Sequence, residues 1–287
     1  MADRHVCFWT GPVFADNVKS VKWAVPTDVV TVGKGVCGQK EGDTRCVSWQ
    51  SFTALAASLG DGGTKLDTLL DQSGLEVPNA RAQWPYSRRM ASGFSAGGAF
   101  LEGLLVDKPT ADQLDCVLGL DCYYFGGSPP GFLDYVDRAV AGEKLLVLTS
   151  SGGPDYGFAT PSEQIKPLMA KIQPDLVDEP FIEAMFPAGS IKRPVMIQNK
   201  GQLWHFAWGT TLGHVDHRTT VGPYLLENFV SPALSAKEEP PPEPETPVEP
   251  TIFGFPSDSP WPWLLAGTGM LGAMGLAALA WKRWRKS

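Results

Sequence analysis

The stretch SGFSAGGAF, residues 92–100, constrains the fold of this chain more than any other. One serine stands between two near glycines, in the order Gly93, Phe94, Ser95, Ala96, Gly97. Such spacing suits a sharp turn from a strand into a helix, where only small residues fit the crowded backbone. The segment GGAFLEGLL predicts the helix, because Phe100, Leu101, Leu104 and Leu105 recur at helical spacing. The preceding YSRRMASGF predicts a short strand that carries Arg88 and Arg89. Ser95 then has two readings: a nucleophile held up on a strained turn, or the cap of a glycine-rich helix start.

The partners of a nucleophilic serine decide between these readings. On a strand–turn–helix serine, an acid and then a histidine are expected later in the chain. The sequence has His5, His205, His214 and His217, of which the last three follow Ser95. The stretch LWHFAWGTTLGHVDHRTTVGPYLLENFV reads as an apolar strand, a loop and a helix beginning near Thr219 or Thr220. His214 and His217 fall on that expected loop, and either can serve as the base. Two apolar runs lie between serine and histidine. The first, LDCVLGLDCYYFGG, ends at Asp121, and the second, EKLLVLTSSGGPDYG, is followed by Asp155 on a Gly/Pro-rich loop. Sites in open α/β sheets gather at the C-terminal ends of strands. A carboxylate in an apolar run is costly unless paired. Asp121 is therefore the preferred acid, with Asp155, whose plainer reading is an Asx turn, as the alternative.

Residues 88 to 230 together resemble the α/β-hydrolase fold superfamily. The resemblance rests on the G-x-S-x-G turn, its following helix, the strand with Asp121, the strand into TSSGG, and the terminal histidine before a helix. It is similar in particular to members whose sixth strand ends in a D-x-x-Y-type motif, here DCYY, which implies an acid at Asp121. The implied fold is a three-layer α/β/α sandwich with a mostly parallel sheet, spanning residues 1–234. The implied chemistry is cleavage of an ester or amide through Ser95, Asp121 and His214, with His217 and Asp155 as alternatives. The oxyanion would be met by the Ala96 N–H and by an N–H from Gly11 or Val13 in HVCFWTGPVFA, since Pro12 has none. The segment VCGQKEGDTRCVSW has no counterpart in the family.

Composition narrows the rest. A net charge of −7 leaves no basic footprint, so no nucleic-acid partner is expected. Five cysteines leave at least one thiol unpaired within the chain. Cys7, Cys116 and Cys122 lie on apolar runs and are expected to be buried small hydrophobes. Cys37 and Cys46 flank a polar loop and would close a disulfide if the domain is exported. No C-x-x-C pair appears, so no metal is expected, and the hydrolase reading calls for no cofactor.

The C-terminal end changes character. Residues 235–260, containing SAKEEPPPEPETPVEP, are rich in Pro and Glu and read as a disordered, extended linker. At about 3.1 Å per residue it would reach on the order of 80 Å. Residues 261–281 read as one transmembrane helix, and 282–287 as a basic tail. No charge falls between Leu264 and Ala280, while Trp261, Trp263, Trp281 and Trp284 flank the span as interfacial belts. Residues 264–280 give roughly 25–29 Å of helix with their flanks, enough to cross a bilayer core. Gly269, Ala273 and Ala277 form a small-residue face through which two tails could pair weakly, although low bulk for its own sake is the plainer account. The basic tail favours a cytoplasmic C-terminus, whereas MADRHVCFWTGP is no signal peptide. The chain is thus expected at a membrane, held by one span, with the side of its domain open. Two functions from different classes follow: a membrane-tethered serine hydrolase, or a non-catalytic hydrolase-like surface or virion component.

Overall fold

The computed structural model describes residues 5–10, 21–34, 44–49, 66, 86–123, 130–152 and 160–236. Among the described residues, nine strands form one sheet: β1 His5–Thr10, β2 Thr27–Lys34, β3 Thr44–Trp49, β4 Arg88–Phe94, β5 Cys116–Leu120, β6 Leu145–Ser151, β7 Asp175–Leu176, β8 Met196–Lys200 and β9 Leu203–Gly209. Their spatial order is β3-β2-β1-β4-β5-β6-β9-β8-β7. Neighbours from β3 through to β9 pair in parallel, and only β8 runs against its neighbours β9 and β7. The fold is therefore α/β with a mostly parallel sheet, as the sequence predicts.

Residue choice follows position in the sheet. β5 and β6 are buried at every residue and read as near-continuous apolar runs, the pattern of strands covered on both faces. β8 alternates between buried and half-buried residues, as suits a strand near the edge. Alternation sorts the core into two clusters, one per face. Val6 and Phe8 of β1 join Ala91, Val117 and Leu146 in one, while Cys7 and Trp9 join Met90, Cys116 and Val147 in the other.

Helices fill the crossovers. α1 (Gly98–Val106) and α2 (Lys108–Gln113) connect β4 to β5, and α3 (Pro130–Val140) connects β5 to β6. α4 (Pro161–Ile172) and α5 (Glu179–Met185) follow β6. α3 buries Phe132, Tyr135, Val136 and Ala139, a stripe at i, i+3, i+4 and i+7, in the first cluster with α1 and α4. The opposite cluster is covered by a helical run over 214–235, which buries Val221, Leu225, Leu226 and Val230.

That run, called α6, corrects one expectation. The helix begins at His214, not near Thr219 or Thr220, so His214 and His217 lie on its first turns rather than on a loop. Gly213 is the N-cap, and the Asp216 carboxylate reaches back to its N–H at 3.0 Å. The start needs no Ser or Thr, because an acidic side chain at the third helical position supplies half of a capping box. The compact unit ends at Glu238. Cys7, Cys116 and Cys122 stand outside any disulfide and are buried, as expected. Cys37 and the expected linker, span and basic tail from 237 onward lie outside the described residues, and of Cys46 only the β3 backbone is described. Among the described residues no helix is long and apolar enough to cross a membrane.

Candidate active site

Strand β4 ends in a bend. Ser95, the next residue, has φ 53°, a left-handed conformation that costs a residue with a Cβ about 1 kcal/mol or more. A short turn over Ser95–Gly97 then leads directly into α1. The small residues around it have a steric cause. A Cβ on Gly93 would stand 2.7 Å from the Gly97 carbonyl oxygen and 2.9 Å from Leu101 Cδ1. A Cβ on Gly98 would run into the carbonyl oxygen of Cys122, so α1 starts pressed against the segment that follows β5.

The next strand, β5, ends the same way. Asp121 follows Leu120 directly and has φ 46°, so two neighbouring strands both finish in a left-handed polar residue. Asp121 is wholly buried, and its carboxylate accepts from three donors among the described residues. Oδ1 accepts the Ser151 N–H at 2.7 Å. Oδ2 accepts the Ser151 hydroxyl at 2.7 Å and His214 Nδ1–H at 2.6 Å. Bonds of this length satisfy a buried carboxylate that would be costly to bury unpaired. Ser151 is placed for this task by a register shift between β6 and β9 at Ser150 and Ser151, an irregularity of the kind that re-aims side chains beside sites.

The His214 side chain keeps 26% of its surface exposed while Asp121 keeps none, so the imidazole faces outward from a buried anchor. Its ring stacks on Phe94, the residue before Ser95, with centroids 4.5 Å apart. The Arg218 guanidinium lies over the same phenyl ring, 5.4 Å from its centroid. His214 is thereby located by a hydrogen bond at Nδ1 and by an aromatic contact to Phe94, the last residue of β4 before Ser95. In the neutral tautomer that donates from Nδ1 to Asp121, Nε2 carries the lone pair.

His217 and His205 lie elsewhere in this network. His217 is fully buried, and its Nδ1 lies 2.7 Å from Thr149 Oγ1 rather than on Asp121. Burial pushes its pKa down to about 4, against a weaker upward pull from Asp121. His205 Nδ1–H donates to Gln198 Oε1 at 3.2 Å, and its Nε2 accepts the Ser150 hydroxyl at 2.8 Å. Burial lowers its pKa to about 4 as well. The structure thus brings His214, not His217, to Asp121. Ala96 lies in the turn after Ser95, while Gly11, Val13 and Asp155 fall outside the described residues.

Thr149, Ser150 and Ser151 are not among the site residues expected from the sequence, yet their hydroxyls all enter this polar network. The signal was present: three hydroxyl residues closing an otherwise apolar strand, where buried polar groups need partners. No cluster of metal-ligating side chains occurs among the described residues. Comparison with protein-family models, with curated proteins and with solved structures gives no match.

Proposed function

We propose that the domain is a serine hydrolase that cleaves an ester or amide, with Ser95 as nucleophile, His214 as base and Asp121 as its orienting acid. The observation that carries this reading is the 2.6 Å bond from His214 Nδ1 to a buried carboxylate, on a ring stacked against the turn that bears Ser95. In this mechanism His214 Nε2 takes the Ser95 hydroxyl proton as Oγ attacks the carbonyl carbon. The Asp121 carboxylate stabilises the imidazolium that forms, and holds the tautomer that leaves Nε2 free beforehand. The Ala96 N–H, with an N–H of Gly11 or Val13, meets the developing oxyanion. The carbonyl–heteroatom bond breaks, and the departing alcohol or amine takes the proton back from His214. Water then attacks the acyl-serine as His214 takes its proton, and the acyl–Oγ bond breaks as His214 returns that proton to Ser95, releasing the acid.

The strand order is that of a doubly wound α/β sheet, with core clusters on both faces. Ser95 follows β4, at the point where the order reverses between β1 and β4, and ligands of open α/β sheets bind at such crevices. The topology alone does not specify a reaction, so the chemistry rests on the site. A fluorophosphonate probe tests it: labelling of the wild type that vanishes in Ser95→Ala is expected. An unlabelled wild type, or equal labelling of Ser95→Ala, would overturn the hydrolase and favour a non-catalytic surface role.

The uncharged run 264–280 with its tryptophan flanks and basic end supports a tether in the lipid bilayer. Deleting residues 239–287 is expected to move the protein from the membrane fraction to the soluble fraction with probe labelling retained. Continued sedimentation of a folded truncated chain with membranes would refute the tether.

A further inference from the structure

The hydroxyl residues that close β6 are each committed, and one of them serves the backbone of Asp121 rather than its carboxylate. The Asp121 N–H donates to Thr149 twice, to Oγ1 at 3.0 Å and to the carbonyl oxygen at 3.2 Å. A left-handed residue with a side chain persists only where its surroundings over-determine it, and at Asp121 this double acceptor does so. The same Oγ1 shares a second hydrogen bond with His217 Nδ1, 2.7 Å away. Complete burial keeps the His217 ring neutral at neutral pH. The ring is fixed in turn by Trp208, which stands edge-on at 5.3 Å and 85°. Nε2 of His217 meets no partner among the described residues, so Nδ1 makes the ring's hydrogen bond there.

We propose that Thr149 and His217 are a positioning pair: a neutral imidazole fixes the Thr149 hydroxyl, which holds the Asp121 backbone at the angle from which its carboxylate reaches His214. The inference rests on the hydrolase reading for its effect on rate, but the geometry it assigns exists independently of catalysis. It separates two histidines that stand three residues apart. His214 works at the surface of the site, and His217 works beneath it without exchanging protons with substrate.

The test uses the full-length protein with Thr149→Val, which keeps the branched shape and removes the hydroxyl, and with Thr149→Ser, which restores it. One readout is the rate of fluorophosphonate labelling and of ester turnover. The other is the low-field proton resonance of the His214 Nδ1–H, which reports its bond to Asp121 whether or not the protein is an enzyme. Thr149→Val is expected to lower labelling rate and kcat about 10- to 100-fold at little change in KM, as misplacement of a reacting group does. The low-field resonance should shift upfield in the same variant, and Thr149→Ser should recover both. Wild-type kinetics and an unmoved resonance in Thr149→Val would overturn the pair. A wild type that never labels, yet whose resonance is lost in Thr149→Val and regained in Thr149→Ser, would sink the hydrolase and leave the pair standing. Should Thr149→Val fail to fold, His217→Leu carries the same two readouts, and an unmoved resonance there would likewise overturn the proposal.

Discussion

Asp121 is the residue on which the site turns, because its carboxylate and its backbone are both held. Asp121→Asn shows what the charge does. Oδ1 must still accept the Ser151 N–H, so the amide nitrogen of an asparagine takes the place of Oδ2, facing His214 Nδ1. Two donors then oppose each other, and the imidazole relieves the conflict by moving its proton to Nε2. That tautomer cannot take a proton from Ser95. Turnover is expected to fall on the order of 10⁴-fold, the magnitude known for the equivalent change in a serine protease, with the fold intact by circular dichroism. Asp155→Asn is expected to do far less. A stopped-assay comparison of the two variants checks both, and the reverse ranking would transfer the acid to Asp155.

Among the elements, α6 does the most, since one helical run supplies both His214 and the cover of one sheet face. Its far end is tied down as firmly as its start. Ser231 is fully buried and its hydroxyl accepts the Ala24 N–H at 2.8 Å, while Arg88 Nε donates to the Leu234 carbonyl at 3.4 Å. The run therefore bridges from the end of the domain to the segment before β2 and the start of β4. Ser231→Ala leaves the Ala24 N–H without that acceptor, which is expected to cost about 1–3 kcal/mol. Urea unfolding should show the loss as a lower midpoint at unchanged slope. Labelling of Ser95 in the folded fraction should be unaffected, because Ser231 lies at the end of α6 away from His214. A midpoint equal to wild type would mean that another group replaces the hydroxyl.

For the whole domain, two buried neutral histidines make stability depend on pH in a definite direction. His205 and His217 both have pKa values near 4 when folded and near 6.5 in an unfolded chain. Between these values the unfolded chain binds the more protons, so stability is fully present above about pH 6.5 and is lost as pH falls toward 4. Each histidine contributes a slope of about 1.4 kcal/mol per pH unit within that window. Neutral neighbours surround His205, namely Ser150 and Gln198, so His205→Gln should reduce the slope by about one proton's worth without a charge rearrangement. Urea titrations at intervals between pH 7.5 and 4.5 check this. A wild-type curve flat across the window would show that these imidazoles are protonated in the folded state.

The turn at Ser95, the apolar central strands and the carboxylate at the end of β5 were legible in the sequence because each depends on local chemistry. Glycines two residues either side of a serine report backbone crowding, and an apolar run such as LLVL reports burial on both faces, whatever lies elsewhere in the chain. The start of α6 was misplaced because its cap is a glycine answered by Asp216, a pairing weaker in sequence than the threonines five and six residues into the helix. Choosing between His214 and His217 lay beyond any local signal. Both sit on the same first turns of α6 and both approach the C-terminal ends of β5 and β6. Only the height and rotation of the helix over the sheet bring one ring to Asp121 and bury the other against Thr149 and Trp208. Those quantities are set by how Val221, Leu225 and Val230 pack on the sheet face, contacts between residues far apart in the chain. The same holds for Ser151: its hydroxyl type is visible in the sequence, but its aim depends on the register shift against β9, which exists only once the strands are paired.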